Sequence, residues 1–455
     1  MTSTIPAPGS LRSRILKASF WAIGGDGLSQ AIRLGSNLIM TRLLAPEMFG
    51  VMALVTTLMV GLTLFSDLGL RENIIQNKRG DDPRFLNTIW TIQILRGIII
   101  WLSTLAIAGG LYLLNRQGLL PGDSVYADPL LPFAIAAASF SALIFGFQST
   151  RVSTAARHLA QKQLVLMEIY SQLTGLLVMI LWALADKSIW ALVAGGTTGY
   201  MARTALSHLV LPGLPNRWEW DPAVFREVFQ FGKWIFLSSV LGFLAMNSDR
   251  LLLAGLIGSE LMGIYAIAFL FINALQMAFM KLNGAVAFPA LSEVQREHSQ
   301  ELKQTYYKFR LRLDSAILAV SGCLVLGGGW LIELLYDQRY AAAGSMLQVL
   351  ALVLIAQIYS LADQCFLALG KPKLLSLLNV IRAGAIFGLV PLGFHLQGME
   401  GALWAIVLSY FAAVPVSLYL KARQGLFNGK RETVVVLAAI ILLTLEDIIG
   451  LALGP

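Results

Sequence analysis

Apolar runs of about 20 residues alternate with short polar breaks along almost the whole chain. The runs fall at 17–40, 48–70, 87–114, 130–152, 164–185, 188–211, 232–257, 261–287, 312–336, 343–369, 374–396, 400–420 and 433–452. Each is long enough for a helix that crosses the hydrocarbon core of a bilayer, about 30 Å thick, at a rise of about 1.5 Å per residue. The pattern therefore predicts thirteen membrane helices. Pro46 and Glu47 mark a tight turn and a helix start. PALSEVQREHSQELKQ (289–304) is polar enough for a short surface helix, and the proline-rich LPGLPNRWEWDP (211–222) reads as a linker.

The pattern repeats. Residues 20–55 return in altered form at 233–268, with Trp21 on Trp234, Glu47 on Glu260, Gly50 on Gly263 and Ala53 on Ala266. Segment 86–96 matches 302–312, which sets Trp90 on Tyr306 and Arg96 on Arg312. HLAQKQL (158–164) matches ALGKPKL (368–374). The repeat spacing holds six helices, an even number, so both halves enter the membrane in the same orientation. A symmetry axis relating them runs along the membrane normal. The expected fold is an all-α polytopic membrane protein with two six-helix lobes related by a pseudo-twofold, plus an extra C-terminal helix. The expected domains are an N-terminal lobe at 1–212, a cytoplasmic linker at 213–231, a C-terminal lobe at 232–422 and the extra helix within 423–455. Channels and transporters both use duplication, so the repeat alone does not choose between them.

Composition agrees with the pattern: 57% of residues are hydrophobic, only 13% are charged, and the mean hydropathy is +0.70. A soluble chain of this length could not hide so much apolar surface. Of the 34 Lys and Arg, twenty-five lie in loops on the N-terminal side of the predicted membrane and four (Arg42, Arg116, Lys187 and Arg339) in loops on the other side. The positive-inside rule then puts the N-terminus in the cytoplasm. The net charge of +8 is dispersed over many loops and signals topology rather than a nucleic-acid partner. Arg12, Arg14 and Lys17 precede an apolar run, as in a signal peptide, but Gly24, Gly25 and Asp26 interrupt it and it resumes to Met40. A retained first helix fits better. Cys323 and Cys365 both lie inside predicted spans and suggest no disulfide framework. The chain has no HExxH, Walker loop, GxSxG or Cys/His cluster, and its four His are scattered. No catalytic residue, metal site or cofactor is expected, and direct drive by ATP is disfavoured.

The polar residues inside the spans carry the functional signal. Asp26, Gln30, Arg33 and Asn37 form one stripe on the first helix. An ionised side chain facing lipid is costly, so the stripe faces a cavity or another helix. Asn273, Gln276, Met280 and Asn283 repeat the spacing on the eighth span; Asn and Gln there suit either a ligand or helix–helix bonds. Asp249 and Arg250 fall late in the seventh span, and Arg382 lies in the eleventh. Glu168, Asp363 and Gln364 lie near the cytoplasmic boundary, where solvation is the default. Arg33, Arg96, Arg250 and Arg382 suit an anionic cargo, because guanidinium stays charged and forks onto phosphate. The candidate cargo contacts are Asp26, Gln30, Arg33, Asn37, Arg250, Asn273, Gln276, Asn283 and Arg382; the candidates for coupling to a proton or sodium gradient are Asp26, Glu168 and Asp249. Gly195 and Gly199, and Gly384 and Gly388, have the spacing of close helix packing. Pro391 and Pro415 predict kinks in late helices.

LLAPEMFGVMAL (43–54), FSDLGLRENIIQ (65–76), FPALSEVQ (288–295) and LALGKPK (367–373) resemble the polysaccharide transporter family, the Wzx-like oligosaccharide flippases of the multidrug/oligosaccharidyl-lipid/polysaccharide exporter superfamily. The resemblance covers residues 15–425. It implies a flippase that moves undecaprenyl-diphosphate-linked oligosaccharide (exopolysaccharide, capsule or O-antigen repeat units) from the inner to the outer leaflet of the bacterial inner membrane. It also implies a V-shaped central cavity, alternating access, ion coupling, and work beside a polymerase and export machinery. Relatives often have twelve or fourteen spans, so the thirteenth helix departs from the pattern. Three rivals are weighed. A drug or cation exporter of the same superfamily would prefer an acidic cavity. A lipid II flippase shares the chemistry and differs in cargo. A membrane polysaccharide polymerase would need a large outer loop, whereas the longest here, 115–129, is short.

Overall fold

A computed structural model of the chain describes residues 11–66, 68–297, 299–433 and 437. Among these residues every regular element is helical. The elements of the first half are α1 (Leu11–Leu43), α2 (Pro46–Phe65), α3 (Leu70–Gln76), α4 (Pro83–Arg116), α5 (Leu131–Gly146), α6 (Arg151–Arg157), α7 (Gln161–Ala185) and α8 (Trp190–Leu209). The second half follows with α9 (Pro222–Ala254), α10 (Ser259–Leu282), α11 (Phe288–Glu297), α12 (Leu302–Leu335), α13 (Ala342–Ala356), α14 (Ser360–Ala368), α15 (Pro372–Phe411) and α16 (Val414–Arg423). Seven stretches are long and apolar enough to cross a membrane, namely α2, α4, α7, α10, α12, α13 with α14, and α15 with α16; the pair α5 and α6, bent by 60°, makes an eighth. The chain is a multi-span helical membrane protein. α1, α8 and α9 are also long, but they carry the polar residues that matter below. The expected thirteenth helix at 433–452 falls almost wholly outside the described residues.

Helix starts follow local chemistry. Pro occupies the first turn of α2, α4 and α5, where its missing N–H is harmless. Asp82 caps α4 by accepting from the Arg84 N–H. The predicted surface helix is α11, and its neighbour α12 begins ten residues before the predicted span. α15 breaks at Gln397 and Gly398, where Gly398 takes φ +61°. This is the boundary between the predicted eleventh and twelfth spans, and a backbone of this kind favours glycine.

The chain divides into two compact units. The first holds Met1–Ala45, Val55–Leu120 and Pro129–Val240; the second holds Pro46–Leu54, Pro121–Asp128 and Leu241–Pro455. In the first unit, α4 crosses α5 where Gly97 meets Gly146, since a Cβ on Gly97 would lie 2.9 Å from the Ala142 carbonyl. α7 crosses α8 where Gly175 meets Gly195 and Gly199. These glycines let helix backbones approach closely, as the spacing of Gly195 and Gly199 suggested. Gly384 and Gly388 do not behave so: a Cβ on either would meet nothing within 4 Å. Their predicted packing role is corrected; they lie on an open side of α15.

Within the second unit the repeat becomes physical. Gly50 and Gly263, matched by sequence, pack against each other at the starts of α2 and α10. A Cβ on Gly50 would fall 1.9 Å from the Ser259 carbonyl, and one on Gly263 the same distance from the Pro46 carbonyl. The 121–128 segment is tied to the same place: the Val125 N–H donates to the Ile257 carbonyl at 3.0 Å, and Ser259 Oγ donates to Asp128 Oδ2 at 2.9 Å.

Candidate functional site: an arginine-bearing cavity in the first unit

The polar stripe of α1 opens onto a cavity of about 460 Å³ inside the first unit. Its wall takes Asp26, Ser29 and Arg33 from α1, Gln93 and Arg96 from α4, Glu168 and Gln172 from α7, and Arg203 from α8. Two side pockets share this wall. One, of about 260 Å³, runs along α1, α7 and α8 and includes Arg33, Ser36, Glu168, Gln172 and Arg203. The other, of about 330 Å³, runs between α2, α4, α5 and α8 and includes Gln93, Arg96 and Arg203. Volumes of this order suit organic ligands.

The arginines are held in different ways. Arg203 Nη1 lies 3.0 Å from Glu168 Oε2, and Glu168 also accepts from Gln172 Nε2 at 3.0 Å. Both partners of this pair are about one-third exposed, so solvent reaches it. Arg203 Nε and Gln172 Oε1 are buried without a hydrogen-bond partner. Buried polar atoms are normally satisfied, so these two mark where water or a polar ligand belongs. Arg96 donates to Ser66 Oγ at 3.0 Å and to the Thr63 carbonyl at 2.6 Å, which holds its guanidinium against the end of α2 in the cavity wall. Gln93 Nε2 is within reach of three carbonyls at the end of α5, those of Phe145, Gly146 and Gln148. Arg33 is exposed on α1 and lines both the main cavity and the α7–α8 pocket.

The sequence reading of this region is corrected in detail. Asp26 and Arg33 line the cavity, but Gln30 and Asn37 do not; Ser29 and Ser36 take their places one position earlier. Glu168 is not merely solvated at a boundary but paired inside the cavity wall. Arg203 and Gln93 were missed as site residues. Arg203 stands six residues before the end of α8. That is about 9 Å into the helix.

The remaining candidates belong to the second unit. Asp249 is buried and accepts from the Tyr265 hydroxyl. Arg250 Nη1 is 3.3 Å from Asn247 Oδ1, and its guanidinium lies 4.5 Å from the centre of the Phe269 ring. Gln276 bonds to Tyr410, which is also in electrostatic range of Asp249, Arg250 and Arg382. Arg382 lies 3.4 Å from Asp363. Asn283 donates to Ser360 Oγ at 2.9 Å, and Asn273 is half-buried on α10. Asp249 and Arg250 are thus held against α10 through Tyr265 and Phe269, Arg382 is paired with α14, and Asn283 serves the join between α10 and α14. Among the described residues no cluster of His, Cys, Asp and Glu fits a metal ion.

The fold is that of a multi-span helical membrane protein with a polar, arginine-bearing cavity in its first unit. The profile of the family described as polysaccharide biosynthesis protein matches residues 39–345, and the chain belongs to that family. It is 21% identical over 459 residues to the lipopolysaccharide biosynthesis protein WzxC of Escherichia coli K12, with 98% of this chain and 88% of the relative covered. It is 22% identical over 361 residues to a membrane protein encoded in the cps region of Klebsiella pneumoniae, covering 75% of this chain and 70% of the relative. Among solved structures it resembles the inward-facing form of a multidrug resistance MATE family transporter (TM-score 0.70, 15% identity, 88% of this chain and 94% of the other). It also resembles the lipid II flippase MurJ in an inward closed form (TM-score 0.69, 13% identity, 96% and 93%). These likenesses establish the fold.

Proposed function

We propose that the chain is a flippase that carries undecaprenyl-diphosphate-linked oligosaccharide from the inner to the outer leaflet of the bacterial inner membrane, with its N-terminus in the cytoplasm. The observation that carries this reading is the first-unit cavity, where Arg33, Arg96 and Arg203 share one wall. A diphosphate and its sugars cannot enter hydrocarbon, because each unpaired polar group costs about 2–7 kcal/mol. Guanidinium groups replace the water around phosphate with forked, charge-assisted bonds. Asp26, Ser29, Gln93 and Gln172 offer the mixture of donors and acceptors that sugar hydroxyls need. Family membership and the flippase and transporter folds support the same reading. Transport proceeds by alternating access coupled to a proton or sodium gradient, with Asp26, Glu168 and Asp249 as the candidate ion sites. A polysaccharide polymerase and export machinery receive the product.

The test is flipping of fluorescent undecaprenyl-diphosphate oligosaccharide in proteoliposomes. Wild type moves the probe, and Arg33→Ala slows it by about ten- to a hundred-fold, the equivalent of one hydrogen bond to a charged group. A folded Arg33→Ala protein that flips at the wild-type rate removes Arg33 from the pathway. Folded wild type that moves lipophilic cations and not the probe overturns the proposal in favour of a drug exporter.

A further inference from the structure

The pocket between α2, α4, α5 and α8 differs in chemistry from the cavity beside it. Away from the shared wall its lining is largely apolar, with Met59, Val60, Ile100 and Ala142 beside Thr56, Ser141 and Tyr200, and Val60 is 40% exposed. Gly97 and Gly146, whose backbones are in close contact where α4 crosses α5, also line it. Its near wall is shared: Thr63, Leu64, Gln93, Arg96, Phe145 and Arg203 line both this pocket and the polar cavity. Arg96 stands at the junction, fixed by Ser66 and the Thr63 carbonyl of α2. The stretch formed by Met59, Val60, Ile100 and Ala142 offers water none of the two to four polar partners it needs. A pocket joined to an arginine-lined chamber therefore matches a ligand that is anionic at one end and hydrocarbon at the other.

The geometry points to this pocket as the site for the first isoprene units of the lipid carrier, with the diphosphate at Arg96 and Arg203 and the sugars in the polar chamber. The inference rests on the flippase reading above and extends it. The chain does not leave its whole carrier in the bilayer: the units next to the diphosphate enter the first unit through the α2–α4–α5 pocket, and only the rest stays in lipid. The seat makes the protein sensitive to the carrier as well as to the sugar. A carrier whose first units are missing or too bulky loses contacts that the headgroup cannot replace.

The experiment uses the full-length protein in proteoliposomes and an undecaprenyl-diphosphate oligosaccharide that bears a diazirine on the second isoprene unit. Irradiation is expected to label peptides of α2, α4 and α5 that contain Met59, Val60, Ile100 or Phe145, and excess unlabelled cargo suppresses the label. In parallel, Met59→Trp and Val60→Phe fill the pocket. Each is expected to raise the half-saturating concentration of the C55 cargo by about ten-fold, as loss of about two buried methylene groups would. Each leaves binding of a soluble analogue with the same headgroup and a methyl group in place of the isoprene chain unaffected, and that binding shows that the variant is folded. Label that falls on other helices, or no protectable label in protein that flips the probe, overturns the tail site and leaves the flippase reading standing. So does equal weakening of the C55 cargo and of the chain-free analogue in folded protein. Folded wild type that does not flip the C55 cargo overturns the flippase reading itself.

Discussion

Glu432 is 4% exposed, yet it accepts hydrogen bonds from Lys421, Arg310 and the Tyr307 hydroxyl. Lys421, itself fully buried, lies over the rings of Tyr306, Tyr307 and Tyr359 at 5.4–5.9 Å, and Arg310 also meets Asp314 at 2.9 Å. This network ties residue 432, in the helical stretch 429–433, to α12 and α16. Deleting one partner of a buried ion pair strands the others without compensation, which costs about 3–5 kcal/mol. Glu432→Ala is therefore expected to lower the unfolding midpoint of the detergent-purified protein well below that of an exposed control such as Glu72→Ala. Equal midpoints would show that the network adds little. Neither this cluster nor the Glu168–Arg203 pair was legible in the sequence, and the reason is the same. All of these residues stand close to loops that are rich in charge, where a solvated side chain is the ordinary expectation. Asp26 and Arg33 were legible because they interrupt an apolar run far from either end. The one-residue rotation from Gln30 and Asn37 to Ser29 and Ser36 was not, because 3.6 residues per turn leaves two adjacent stripes equally regular until a neighbouring helix selects one.

At the scale of elements, the apolar runs marked where helices fall along residues 17–420, since few other structures satisfy the backbone in lipid. They did not mark their number: the runs predict twelve spans there, whereas among the described residues seven stretches, or eight with the bent α5–α6 pair, are long and apolar enough to cross. Run length could not reveal breaks inside a span. The bend between α5 and α6, the division of α13 from α14 and the early start of α12 depend on packing rather than on apolarity. Glycine spacing was similarly ambiguous, and the structure separates two cases. Gly50 and Gly263 hold backbones in contact, whereas Gly384 and Gly388 face open space. Gly50→Ala drives a methyl group into the Ser259 carbonyl and is expected to cost more than the 1–3 kcal/mol typical of overpacking, because backbone rather than a flexible side chain must move. Gly384→Ala is expected to be neutral or to stabilise α15 by up to about 1 kcal/mol, the helix-propensity gain. Thermal unfolding of the two variants beside wild type checks the pair. Similar losses in both would mean that α15 packs where the structure leaves it open.

At the scale of the whole molecule, the charge bias and the loop contacts are independent observations that agree. In the first unit the basic loops are bonded to one another. Arg79 pairs with Glu227, Arg157 and His158 with Asp81, and Asn87 with Glu219 of the linker, while Arg151 donates to the carbonyls of His208, Leu211 and Leu214. The 77–82 loop, the α6 region and the linker therefore share one side of the membrane. In the second unit the sparsely charged turns gather in the same way: Phe49 meets Tyr340, Val125 meets Ile257, and Tyr126 donates to the Leu251 carbonyl. α4 joins the two kinds of loop as a single helix of 34 residues, about 51 Å long, which exceeds the 30 Å of hydrocarbon it must cross. Lys78 and Gln117, exposed just beyond its two ends, must then lie on opposite faces. The positive-inside rule assigns Lys78 to the cytoplasm. In a Cys323→Ser, Cys365→Ser background, Gln117→Cys is expected to react with a membrane-impermeant maleimide in intact cells. Lys78→Cys is expected to react only after the inner membrane is opened. The reverse pattern would invert the topology and with it the direction of transport proposed here, and labelling of both from one side would mean that α4 does not span.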